Sequence, residues 1–190
     1  MKKVVLLIAM ICSSAIINAQ SIFDKYEDMD DVVSVVINQR MFKLLASMDI
    51  STEDDEAQDY LNMVKQITSL KVFTTGDQKI AMDMNASVKK YLKGSKLQEL
   101  MRIKEGDQSV KFYIKEGSDE NHVDELLMFI TGLSELTSGD LTINGEQRDF
   151  ETVLLSLTGD NFDLSQISKL TSNMNVPGGK QLEKAGKKRI

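Results

Sequence analysis

The chain has 190 residues, 23 basic and 29 acidic, for a net charge of −6. That is the size of one ordinary domain, and its acidity disfavours nucleic acid, whose phosphates demand a basic surface. One cysteine, one histidine and no tryptophan exclude a disulfide framework and would leave any zinc site to be built mostly from carboxylates.

Residues 1–19 have the form of a secretory signal. Lys2 and Lys3 open it, an apolar run from Val4 to Ile17 follows, and small Ala19 stands before Gln20 as the expected cleavage point. The apolar run is shorter than the about 20 residues a membrane-spanning helix requires. The chain is therefore expected to be exported, with the periplasm as its compartment. The alternative is lipid anchoring through Cys12, but Ile11 stands where a lipoprotein signal would place a small residue. Cleavage after Ala19 removes both lysines and the cysteine, leaving a thiol-free chain of 171 residues with 21 basic and 29 acidic groups, a net charge of −8.

Asp24, Glu27, Asp28, Asp30 and Asp31 crowd the new N-terminus and read as a solvated acidic arm. The β-branched stretch Val32–Ile37 predicts a strand, and Met41–Leu45 a short helix or a continuation of that strand. Ser51 or Thr52 can cap a helix whose Ala57, Tyr60, Leu61, Val64 and Ile67 share one face; the carboxylates of residues 53–56 suit its positive end. Leu70–Thr75 predicts a second strand. Asp77 then caps a helix lined by Ile80, Met84, Val88, Tyr91 and Leu92 and closed by Gly94. Alternation about Gly106-Asp107-Gln108 predicts an antiparallel hairpin with one wet face. Val123–Thr131 and Thr152–Leu157 alternate little and read as central strands, joined by a polar connection over Gly132–Asp149 with a turn at Asn144-Gly145. Asp163 and Gln166 start a last helix bearing Leu164, Ile167, Leu170 and Met174, and Pro177-Gly178-Gly179 ends it.

These elements predict an α+β fold: a mixed, mainly antiparallel sheet of about six strands with three or four helices, ordered roughly β-α-β-α-β-β-β-β-α. The domain organisation is a signal over 1–19, a single domain over 20–176, and a basic tail over 177–190 carrying Lys180, Lys184, Lys187, Lys188 and Arg189.

No motif marks a catalytic or cofactor site. His122 reads as a polar loop histidine, with no nucleophile elbow elsewhere to serve it. The acidic run 53–56 lacks the ligand spacing and turning glycine of a calcium loop. Carboxylates are abundant but none is singled out, so a carboxylate-dependent hydrolase stays as the alternative reading. Nine methionines survive cleavage; thioether binding of copper(I) is the minor reading, and Met63, Met84, Met101 and Met128 fall in core-like positions instead. Gly94, Gly106, Gly117 and Gly159 each read as a turn or a cap, not as part of a phosphate loop.

Several stretches carry a family likeness: Phe23–Tyr26, Met41–Leu44, Leu70–Thr75, Val110–Tyr113, Glu125–Met128 and Leu155–Asp160. Together and in this order they resemble the exported Bacteroidetes family known as domain of unknown function 4252. The resemblance implies an envelope protein of a Gram-negative bacterium and, through relatives encoded near extracytoplasmic sigma factors, a link to envelope stress or signalling. It implies no catalytic residue and no cofactor. The expected function is thus a non-enzymatic binding or interaction domain of the envelope. The basic tail is the candidate contact for an envelope protein or a membrane surface.

Overall fold

The computed structural model describes residues 21–47, 55–133, 142–143, 146–147 and 150–163. The signal segment, the caps at Ser51 and Thr52, the turn at residues 144–145, the last helix beyond Asp163 and the basic tail lie outside the described residues.

The elements in chain order are α1 (Ser21–Asp24), β1 (Val33–Asn38), α2 (Gln39–Ser47), α3 (Asp55–Gln66), β2 (Ile67–Thr75), α4 (Gln78–Gly94), β3 (Gln98–Glu105), β4 (Gln108–Glu116), β5 (His122–Thr131), β6 (Thr142–Ile143), β7 (Glu146–Gln147) and β8 (Thr152–Asp163). Six strands make one open sheet in the order β1-β2-β8-β5-β4-β3, and β6 pairs with β7 on either side of the predicted turn. The α+β class and about six strands hold. Every pairing in the large sheet is antiparallel, so it is not mixed.

Local chemistry explains the element ends. Asp77 Oδ1 accepts the Ile80 amide at 2.9 Å and caps α4. At the β3–β4 turn Gly106 takes φ +56°, a conformation that hairpin turns of two residues require and that a side chain resists. Asn38 Oδ1 accepts the Met41 amide at 3.2 Å, turning the strand ladder of β1 into α2 and settling the helix-or-strand ambiguity over 41–45.

The sheet is buried on both faces. On one, Phe42 of α2 and Met63 and Val64 of α3 pack in the cluster that holds Leu126, Met128 and Ile130 of β5. On the other, Phe23, Tyr26, Met84, Val88 and Tyr91 pack with Phe73, Leu127, Phe129 and Leu154. That two-sided burial is why β5 and β8 alternate so little and lie at the centre.

Three expectations need correction. The acidic N-terminal stretch is not a solvated arm: Phe23 and Tyr26 are buried at 1% and 0% exposure, and Lys71 of β2 pairs with Asp24 and Glu27. The acidic residues face outward or toward that lysine, while the aromatics three positions apart turn inward. Second, β8 does not stop at Leu157 but runs to Asp163. Third, Gly159 is neither turn nor cap. It belongs to a bulge in which Val123 of β5 pairs with Phe162 while Glu125 pairs with Thr158. Asn161 adopts φ 56° there, and a Cβ on Gly159 would come within 2.5 Å of the Phe162 ring and 2.7 Å of the Gln66 carbonyl. The bulge reseats Phe162 in the core at 0% exposure.

Candidate functional site

Three polar clusters and one exposed apolar surface are the candidates. The first cluster joins α1 and its following turn to α4. Tyr26 donates within reach of Asp83 (2.7 Å) and lies 2.8 Å from the Ser87 hydroxyl, while Lys25 pairs with Asp83 and stands over the Tyr26 ring. The bonds from Lys25 and Tyr26 hold the Asp83 carboxyl below its ordinary range. Burial weighs against the charge on Lys25, yet the Asp83 and Tyr26 bonds leave it raised. This network ties the N-terminal segment to α4; its members are mutually satisfied.

The second cluster sits where α4 crosses β5. Tyr91 Oη donates to Glu125 Oε1 at 2.6 Å, and Lys115 of β4 bonds Asp124 at 3.0 Å beside them. Burial pushes the Glu125 proton affinity up against the opposing effects of Tyr91 and Lys115. The same burial, with the Glu125 carboxylate, raises the Tyr91 hydroxyl far above its usual value and keeps it a donor. Among the described residues Glu125 is the carboxylate whose proton affinity is raised; nothing in the sequence pattern distinguishes it from Asp124 beside it in the same strand.

The third cluster holds His122. Its Nδ1 lies 2.8 Å from Asp119, and the Ser118 hydroxyl lies 3.3 Å from the same carboxylate. The hydrogen bonds from His122 and the Asn121 amide lower the Asp119 proton affinity. Serine, aspartate and histidine are present, but the carboxylate stands in the middle. A triad needs histidine between nucleophile and carboxylate. Here Asp119 organises the loop before β5, as Asn161 does by accepting the Ser118 amide at 2.7 Å.

No group of three His, Cys, Asp or Glu side chains suited to a metal converges among the described residues. No described helix is long and apolar enough to cross a membrane. Of the methionines weighed for copper, Met63, Met84 and Met128 are buried in the cores, Met101 is half-buried against one, and Met82 is exposed.

The exposed apolar surface is at β1 and α2. Val35 and Val36 are 46% and 44% exposed, and Met41, Leu44 (58%) and Leu45 emerge from α2. The three α2 residues stand at i, i+3 and i+4, on the side of the helix away from Phe42 and Ala46, which pack inward. β1 is the end strand of the sheet, pairs with β2 without a register shift, and carries no charge or proline. β3, the other end strand, has a bulge and exposed Glu99, Arg102, Lys104 and Glu105. Charge and bulging are devices that keep an edge from pairing. β3 has them and β1 lacks them. Residue by residue, the β-branched content of β1 was legible; that it would be an edge was not.

The five basic residues proposed as an interaction tail, Lys180, Lys184, Lys187, Lys188 and Arg189, lie outside the described residues. A family model described as Domain of unknown function (DUF4252) matches residues 26–170. Comparison with curated proteins and with solved structures returned no match.

Proposed function

The chain belongs to the DUF4252 family, whose description carries no activity to inherit, and from that premise we propose that it is a non-enzymatic interaction domain exported to the bacterial envelope. The observation that carries this reading is the unguarded edge of β1 flanked by exposed Met41, Leu44 and Leu45. Exposed apolar side chains on the end strand of a sheet and on the helix that follows it are the composition of a docking site. The polar clusters, by contrast, are internally satisfied, with no orphaned buried side-chain polar atom among the described residues. Export rests on the signal-like residues 1–19, and a role in envelope stress or signalling follows from the resemblance of the sequence. The basic tail supplies a second, electrostatic contact to an acidic envelope partner or anionic surface.

A photo-crosslinking residue placed at Leu44 or Val36 in the producing cell tests the reading. It should give a discrete protein adduct from either position. Met82, 73% exposed on α4, serves as the control. Adducts no stronger than those from Met82 would overturn it.

A second reading, a carboxylate-dependent hydrolase, is favoured by one observation: the raised proton affinity of buried Glu125, suited to a general acid. Its neighbour Asp124 is engaged by Lys115. Hydrolysis of a model substrate that disappears in Glu125→Gln would replace the interaction reading.

A further inference from the structure

Resting on that interaction reading, we propose that the occupant of the β1 edge is a second copy of this chain, paired β1 to β1 and antiparallel, so that two six-stranded sheets continue into one. Residues opposite each other in an antiparallel pair point to the same face. A strand pairing with its own copy therefore sets residues of equal parity against each other, and the two-fold axis passes through Val35 or Val36. Those are the two exposed, β-branched residues at the middle of β1. With the axis at Val35, Val33 meets Ile37 and Ser34 meets Val36; at Val36, Val35 meets Ile37. Either arrangement covers valine with β-branched or small partners and brings the exposed Met41, Leu44 and Leu45 of each copy toward the junction.

The charge around β1 selects this occupant over a generic strand. Before the strand stand Asp28, Asp30 and Asp31; after it stand Arg40 and Lys43, all exposed. None of these five takes part in an ion pair among the described residues. The strand itself is uncharged. The edge is thus acidic at one end and basic at the other. Antiparallel self-pairing lays the acidic end of each copy against the basic end of the other, twice, whereas parallel self-pairing would set like charges together. Such polarity fixes orientation and favours encounter. A basic peptide such as the C-terminal tail would meet repulsion over half of this surface.

The test uses the full chain, with sedimentation equilibrium as the readout. Wild type should dimerise, and Val35→Lys combined with Val36→Lys should weaken dimerisation at least tenfold while leaving the thermal transition in place. One charge variant carries Arg40→Glu and Lys43→Glu, making both ends acidic; another carries Asp28→Lys, Asp30→Lys and Asp31→Lys, making both basic. Each alone should be at least tenfold weaker than wild type, and their mixture should form a heterodimer. In a Cys12→Ser background, Val35→Cys or Val36→Cys should crosslink to itself under mild oxidation and Met82→Cys should not. A monomeric wild type, a dimer indifferent to the lysines, or a charge pair that fails to associate overturns self-pairing. If Leu44 still crosslinks to a different protein, the interaction surface stands and the second copy is wrong; if Leu44 crosslinks to nothing, both fall.

Discussion

Tyr91 of α4 donates a 2.6 Å hydrogen bond to Glu125 of β5, the one charged side chain among the buried polar residues of the described core. The pair pins helix to sheet where neither partner could face the apolar interior alone. Tyr91→Phe keeps the ring against Phe23 but leaves the carboxylate without its donor. It should cost about 1–3 kcal/mol in urea-induced unfolding, the range for orphaning a buried polar group.

The same carboxylate makes stability depend on pH in a specific sense. Its folded-state proton affinity is raised above the ordinary value of 4.5, so the folded state holds the proton more tightly than the unfolded chain. The contribution is therefore present at low pH and is lost as pH rises from the ordinary value through the raised one. Glu125→Gln should remove that fall, so wild type and variant should diverge most across this window in parallel denaturation series.

Gly159 should not accept alanine. The added methyl carbon would press on the Phe162 ring and the Gln66 carbonyl, and the backbone oxygen cannot swing away. We expect a loss of about 1–3 kcal/mol, typical of overpacking, measured by thermal or chemical unfolding. Ordinary substitutions at exposed Met82 should be nearly silent.

Phe23→Ala should behave as a core deletion and not as trimming of a terminal arm. The ring is 1% exposed and meets Tyr91 edge-on at 5.1 Å between centroids. Truncation should cost about 3–5 kcal/mol, as for buried aromatics generally. A calorimetric scan that shifts by less than a degree would show that the segment is not part of the cooperative unit.

Mass spectrometry of the protein recovered from its producing cell should find Gln20 at the N-terminus. A chain beginning at Met1 would contradict export, and a lipid on Cys12 would make the chain a membrane-anchored one.

How much of this was legible depended on how local the cause was. The Asp77 cap, the β3–β4 hairpin and the apolar centre of β5 follow from neighbours in sequence, and the structure repeats them. The bulge of β8 does not. Gly159-Asp160-Asn161 has the composition of a turn, and only the ladder to β5, distant in sequence, carries the strand through it. The N-terminal segment was misread because its five acidic residues outweigh two aromatics in any average. Lys71, the one charged residue of β2, was the available clue that acidic partners must come to it. The docking surface was the least legible, since an edge is a property of the whole sheet and no stretch of sequence declares it.

The position of β8 also sets a timetable. It is the last described strand in the chain, yet it lies between β2 and β5 and joins the β1-β2 pair to the β3-β4-β5 meander. A chain emerging N-terminus first can form those two pieces separately but cannot unite them until residue 163 has been delivered. Such late, long-range pairing is slow, and it holds the described chain short of its final sheet until nearly all of it is available. On the export proposed above, that delay would let the chain be threaded before it folds.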